Sequence, residues 1–128
     1  MNHQPATADE FRSAAQAALE QAASSLGQLL AALAMRLRPF PAFLGMTSVQ
    51  AVELAPAWQP RTDHGCVVVT PDGAICRLDL KAIPGAGGLA QADQVEELQE
   101  LELPVEEYIQ YAGVAIGMLA EELRRRGG

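Results

Sequence analysis

Residues 66–80 read CVVVTPDGAICRLDL, which is the pattern of a β-hairpin. Two runs rich in apolar and β-branched residues flank the turn sequence Pro71-Asp72-Gly73. Proline and aspartate suit the central positions of a type I turn, and Gly73 suits the left-handed position that follows them. The segment therefore predicts two antiparallel strands joined by a short turn.

The same turn predicts which side chains share a face of the hairpin. It places Val68 opposite Cys76 and Cys66 opposite Leu78. Because successive side chains in a strand alternate between faces, one face is expected to carry Cys66, Val68, Cys76, Leu78 and Leu80. We expect this face to meet the core. The other face is expected to carry Arg77, Asp79 and Lys81, with Val67, Val69 and Ile75 near the turn. Since that second face is half apolar, we expect something to cover it.

A long helix is predicted before the hairpin. Residues 7–10 read Thr-Ala-Asp-Glu, the pattern of a capping box, and Pro39 and Pro41 are expected to end the helix. Apolar residues recur between them every three or four positions, at Phe11, Ala15, Ala18, Ala22, Leu26, Leu29, Leu33 and Leu37. A helix over residues 8–37 is roughly 45 Å long, which exceeds what a domain of this size needs. We therefore expect either a bend near residues 24–27 or a helix end that projects into a partner.

A second helix is predicted at the end of the chain. It follows Pro104, with glutamates in its first turn and arginines in its last turn, as the helix dipole favours. Its apolar stripe consists of Val105, Tyr108, Ile109, Ala112, Ile116, Leu119 and Leu123. Gly113 and Gly117 lie four residues apart on one face and would permit close approach by another element.

The segments between these elements give weaker patterns. Residues 49–54 favour a strand, with a short helix capped by Thr47 as the alternative. Residues 96–103 favour a fourth strand leading into the last helix, although a helical turn also fits. The proline, aspartate and glycine content of residues 56–65 predicts a loop, and residues 84–88 predict a flexible break.

Together these elements predict an α+β fold. It has a long N-terminal helix, an antiparallel meander of three or four strands, and a C-terminal helix packed on one face of the sheet. The length of 128 residues suits one domain. We expect residues 1–7 to be a disordered N-terminus and residues 8–126 to form that single domain.

Composition and charge narrow the classes of function. The chain has 9 basic and 16 acidic side chains, a formal net charge of −7. A negative surface disfavours binding to nucleic-acid phosphates and to anionic membranes. There is no apolar run of about 18 residues to span a membrane, and residues 1–5 lack the pattern of a signal peptide. We therefore expect a cytoplasmic protein whose cysteines are free thiols.

The candidate reactive residues are few and scattered. Asp63, His64 and Cys66 place three ligand-type side chains within four positions, but the other histidine, His3, lies in the predicted disordered terminus. Cys66 and Cys76 are diagonal neighbours in the predicted hairpin, near or beyond the separation that a disulfide tolerates. We expect no catalytic residue, no metal and no cofactor.

These patterns favour a non-catalytic accessory or adaptor protein, chaperone-like, that acts through protein–protein contacts with a partner or as a homodimer. The residues expected at the interface are Leu26, Leu30, Leu33, Trp58, Val67, Val69, Ile75, Gly113 and Gly117. The layout and acidity resemble those of small acidic bacterial secretion chaperones, in which helices pack on an antiparallel sheet and two copies dimerise. No sequence motif carries this likeness.

Two alternatives stay open. The first is a small-molecule or metal-binding domain centred on residues 63–66, with an enzymatic role possible there. The second is an inhibitor that places an acidic segment in a basic cleft, which predicts binding that weakens steeply with salt. The acidic residues of that segment are Glu96, Glu97, Glu100, Glu102, Glu106 and Glu107.

Overall fold

The computed structural model describes residues 5–41, 50–60, 62–82 and 94–128. The elements follow one another as α1 (Ala8–Arg36), β1 (Gln50–Ala51), a 3₁₀ turn (Pro56–Trp58), β2 (Cys66–Val69), β3 (Ile75–Ala82), β4 (Gln94–Glu100) and α2 (Val105–Arg125). The four strands form one antiparallel sheet in the order β1-β2-β3-β4. With a helix at each end and α2 packed on the sheet, the predicted α+β fold is confirmed. Within the described ranges, no helix is both long and apolar enough to cross a membrane.

The hairpin forms in the register that its turn predicts. Gly73 occupies the left-handed region with φ +83°, and the Thr70 amide donates to the Ala74 carbonyl at 3.0 Å. The Thr70 hydroxyl donates to the carboxylate of Asp72, and this bond lowers the pKa of Asp72. The strand pairs are Cys66 with Leu78, Val67 with Arg77, Val68 with Cys76 and Val69 with Ile75.

The hairpin presents to the helices the face opposite to the one that the sequence predicted. Val67, Val69 and Ile75 are 5%, 0% and 4% exposed. They belong to the main core together with Leu30 of α1 and Leu119 of α2. The prediction that these three residues form an outward face is therefore wrong.

The sequence does not distinguish the two faces because both are apolar near the turn. The longer row of apolar positions belongs to the face away from the helices, where Val68, Cys76 and Leu78 form a second, smaller buried cluster. On the helix-bearing face, the helices cover the end of the hairpin next to the turn. Further along that face, the side chains of Arg77 and Asp79 are 38% and 35% exposed. The helices therefore pack on a face that is apolar over only part of its length.

Helix α1 is continuous over 29 residues, and its N-terminal half lies outside the fold. The predicted capping box is present, because the Thr7 hydroxyl accepts from the Glu10 amide and the Glu10 carboxylate accepts from the Thr7 amide. Residues 8–18 are all exposed, whereas Leu30 and Ala34 are fully buried. The exposed N-terminal end agrees with the second expectation for this long helix, and its contact with a partner stays a prediction.

Helix α2 lies beside the C-terminal half of α1 and runs in the same direction. A Cβ atom built on Gly27 would lie 2.9 Å from the hydroxyl of Tyr108, near the start of α2. Beyond the other ends of the two helices, the guanidinium of Arg126 donates to the carbonyl of Pro39 at 2.7 Å. Because α2 begins beside Gly27, the part of α1 before that residue has no described helix next to it.

The two weaker strand predictions have different outcomes. The strand expected over residues 49–54 is reduced to Gln50–Ala51, followed by one more bond from the Val52 amide to the Val67 carbonyl at 2.8 Å. The fourth strand is confirmed, although it covers Gln94–Glu100 and ends before the four residues that lead into α2. The predictions for His3, Thr47, Val49 and residues 84–88 lie outside the described residues.

Candidate functional site

His64 attaches the loop before β2 to helix α2. Its Nε2 atom lies 3.2 Å from Oε2 of Glu107, and the two side chains are 12% and 24% exposed. The imidazole ring also meets the ring of Tyr111 edge-on, with centroids 6.3 Å apart and planes at 77°. At the start of this loop, the side-chain amide of Gln59 donates to the Leu54 carbonyl at 2.7 Å. The described part of the loop is thus held at both ends.

Tyr111 is the buried member of this cluster. Burial raises the pKa of its phenol, and the carboxylates of Glu107 and Asp63 raise it further. A raised pKa keeps the phenol protonated, so Tyr111 is poorly suited to accept a proton near neutral pH.

A cleft of about 170 Å³ lies over the cluster. Its lining residues are Gln59, Pro60, Thr62, Asp63, His64, Gly65 and Tyr111.

The Asp63 carboxylate accepts from the Gly65 amide at 2.8 Å, which is a local turn contact. Cys66 lies on the sheet face away from α2. Throughout the described residues, no group of three histidine, cysteine, aspartate or glutamate side chains could hold a metal ion. The three residues of the predicted ligand cluster are therefore not brought together.

The two thiols lie in different environments. Cys66 is exposed and Cys76 is 6% exposed, and neither is in a disulfide. Burial raises the pKa of Cys76, and the nearby carboxylates of Glu100 and Asp72 raise it further. Because the thiolate is the nucleophile, Cys76 is suited to packing and not to reaction.

We expect Cys66 to be alkylated at least about tenfold faster than Cys76 in the folded protein, because Cys66 is exposed, whereas Cys76 is buried and its raised pKa disfavours its thiolate. Iodoacetamide labelling followed by peptide mass spectrometry measures the two rates separately. Cys66→Ser should remove the fast reaction, and unfolding in urea should bring the rates together. Equal rates in the folded protein would contradict the buried position of Cys76.

Apolar side chains remain exposed at several places in the fold. The large ones are Phe11 at 66%, Trp58 at 60%, Leu29 and Met35 at 59%, and Leu98 at 46%. Phe11 and Leu29 belong to the same predicted stripe of α1 and both are exposed, so this part of the predicted stripe does not face the core, and the buried residues of α1 are Leu30 and Ala34. That stripe continues through Ala15, Ala18 and Ala22, which are also exposed.

The predicted interface residues fall into three groups. Four are buried in the core of their own chain: Leu30, Val67, Val69 and Ile75. Two are half-buried and packed against that core: Leu26 and Leu33. Three are exposed: Trp58, Gly113 and Gly117. A Cβ atom on either of these glycines would meet no atom of the described chain within 4 Å. Among the described residues their predicted close approach is therefore not made, and an interface role for the exposed three stays a prediction.

The sequence did not indicate the partners of His64. Glu107 lies 43 positions further along the chain, and its contact depends on how α2 packs against the loop. The glutamates at the start of α2 suggested a favourable interaction with the helix dipole and a place in the acidic segment, but no contact with His64.

No protein-family model matches the chain, and comparison with curated proteins and with solved structures finds no significant match.

Proposed function

We propose that this chain is a non-catalytic accessory or adaptor protein, chaperone-like, that acts through protein–protein contacts with a partner or with a second copy of itself. The observation that carries the proposal is the N-terminal half of α1, where residues 8–18 are exposed on every side.

A helical segment of that length is marginal in water without packing, even when alanine-rich. The capping box at Thr7 contributes about 1 kcal/mol, which helps to begin the helix but does not bury an apolar side chain. Farther along α1, the face that packs on α2 and the sheet carries Leu30 and Ala34, whereas Leu29, which is five helical turns from Phe11 and on the same side of the helix, is 59% exposed. Contact with another chain would bury Phe11, which is 66% exposed.

The alternative of a ligand or metal site at residues 63–66 has weaker support. The His64 ring already contacts Glu107 and Tyr111, and the Asp63 carboxylate already accepts from the Gly65 amide. The His64 contacts fasten the loop to α2, the Asp63 contact stabilises the turn within the loop, and together they account for both side chains without a ligand.

The proposal predicts self-association or partner capture that depends on Phe11. Light scattering at a concentration on the order of tens of micromolar should give a mass above that of one 13.6 kDa chain, or affinity purification from the native cell should return a stoichiometric partner. We expect Phe11→Ser to weaken that association by about tenfold, because an aromatic anchor is lost.

Arg12→Ser is the matched control, since Arg12 is the next residue, lies off the apolar stripe and has an 83% exposed side chain. It should leave the association unchanged within about a factor of two. A monomer that captures no protein would disprove the proposal. Equal effects of the two substitutions would show that α1 does not contact the partner through its stripe.

A further inference from the structure

Among the strands that the structure describes, β4 is at one edge of the sheet. It pairs with β3 on one side, and no described strand pairs with its other side. An open edge presents backbone N–H and C=O groups that another extended segment can bind. On this edge Leu98 is 46% exposed, and Gln99 and Glu100 are also exposed.

The register shows which backbone groups point outward. The Leu101 amide donates to the Ile75 carbonyl at 3.3 Å, so these two residues form a hydrogen-bonded pair. Bonded and non-bonded pairs alternate along an antiparallel ladder. Leu98 opposite Leu78, and Glu100 opposite Cys76, are therefore non-bonded pairs. The outward-facing groups on this part of the edge belong to Leu98 and Glu100.

The hydrogen bonds of the hairpin formed by β2 and β3 independently confirm which residues of β3 are bonded to β4. The Thr70 amide donates to the Ala74 carbonyl, so Cys76 and Leu78 direct their backbone groups towards β2 and away from β4.

Charge decides between the possible occupants of this edge. A second copy added at this edge would bring another acidic chain against Glu100, and like charges close together are destabilising. The chain as a whole carries a net charge of −7. An extended segment with lysine or arginine opposite Glu100 and an apolar residue opposite Leu98 complements both the backbone groups and the side chains.

We propose that β4 binds an extended basic segment of a partner protein by adding it as a fifth strand at the Leu98–Glu100 edge. This inference rests on the proposed function, because it specifies the chemistry of one partner contact. It uses a different surface from Phe11, so the two proposals can fail separately.

The probe is a fluorescein-labelled peptide, TKTVTKT, whose central valine would face Leu98 and one of whose lysines would face Glu100. Fluorescence anisotropy should show binding at peptide concentrations up to about 1 mM, and binding should weaken as salt is added. The matched peptide TETVTET should bind at least about tenfold more weakly. In amide NMR spectra of the labelled protein, the largest shifts should lie at Leu98 and Glu100.

Two variants test the backbone and the charge. Leu98→Pro removes an N–H group that makes no bond to β3, and edge strands accept proline at such a position. Because a peptide strand would bind this N–H group, the substitution should weaken TKTVTKT binding by at least about tenfold. Glu100→Lys should weaken binding about fivefold. Glu20→Lys is the control, because it makes the same charge change on the exposed surface of α1. It should change TKTVTKT binding by no more than about twofold, since it lies far from β4 and distant surface charges are screened.

Three outcomes overturn the inference: no binding of TKTVTKT, equal binding of both peptides, or amide shifts away from β4. If circular dichroism shows that Leu98→Pro does not fold, the NMR map of the unmodified protein decides. A negative result here together with Phe11-dependent association would remove the β4 contact and leave the proposed function standing.

Discussion

Replacing Gly73 with alanine should lower the free energy of unfolding by about 3 kcal/mol, from two separate causes. The first is the backbone, since a φ of +83° costs a residue with a Cβ atom roughly 1–2 kcal/mol. The second is space, because that Cβ atom would lie 2.6 Å from the Cα and 2.8 Å from the backbone nitrogen of Ala31. Overpacking of this kind costs about 1–3 kcal/mol, and backbone atoms of a helix cannot rotate away. Urea unfolding of Gly73→Ala followed by circular dichroism measures the change.

Gly65→Ala separates the two causes. Gly65 also has a positive φ, +72°, but its added Cβ atom would meet only the flexible side chain of Arg77, at 3.2 Å. This variant should therefore lose only about 1 kcal/mol. The excess loss in Gly73→Ala then measures how closely the hairpin turn approaches α1. Equal losses in the two variants would mean that the turn does not contact the helix.

The hairpin shows how much of this fold local sequence determines. The turn residues Pro71, Asp72 and Gly73 determine the strand register because each suits a particular backbone conformation, and the predicted pairing is the observed one. The capping box at Thr7 was predictable for the same reason, since both of its hydrogen bonds join residues three positions apart.

Long-range packing was not predictable from the same patterns. Val68 and Val69 are adjacent, and both are almost completely buried, at 1% and 0% exposure. A strand that buries side chains on both faces has no polar face to indicate where the helices pack. Which face they take depends on α1 and α2, whose positions are set by contacts far along the chain. For the same reason, the contact between His64 and Glu107 had no local signal.

The open edge of β4 combines both kinds of information. The sequence suggested a strand near residues 96–103 and an acidic segment, but it did not show whether the strand was central or at an edge. The order of the described strands places β4 at an edge. The alternation of hydrogen-bonded and non-bonded pairs then shows that the backbone groups of Leu98 and Glu100 point outward. The acidic pattern acquires a specific interpretation only when its position in the sheet is known.

Leu30→Ala should lower the free energy of unfolding by about 3 kcal/mol, within the 2–5 kcal/mol range for removing a fully buried leucine side chain. Leu30 is 0% exposed and belongs to the core with Val69, Ile75 and Leu119. Leu29→Ala is the matched control, because it is the same change at the adjacent residue, which is 59% exposed. It should alter stability by less than about 0.5 kcal/mol, since alanine also favours the helix. Chemical unfolding of both variants measures the difference directly.

If Leu29→Ala were the more damaging change, α1 would have to be rotated about its axis. The assignment of Leu30 and Ala34 to the packing face of α1 would then be wrong.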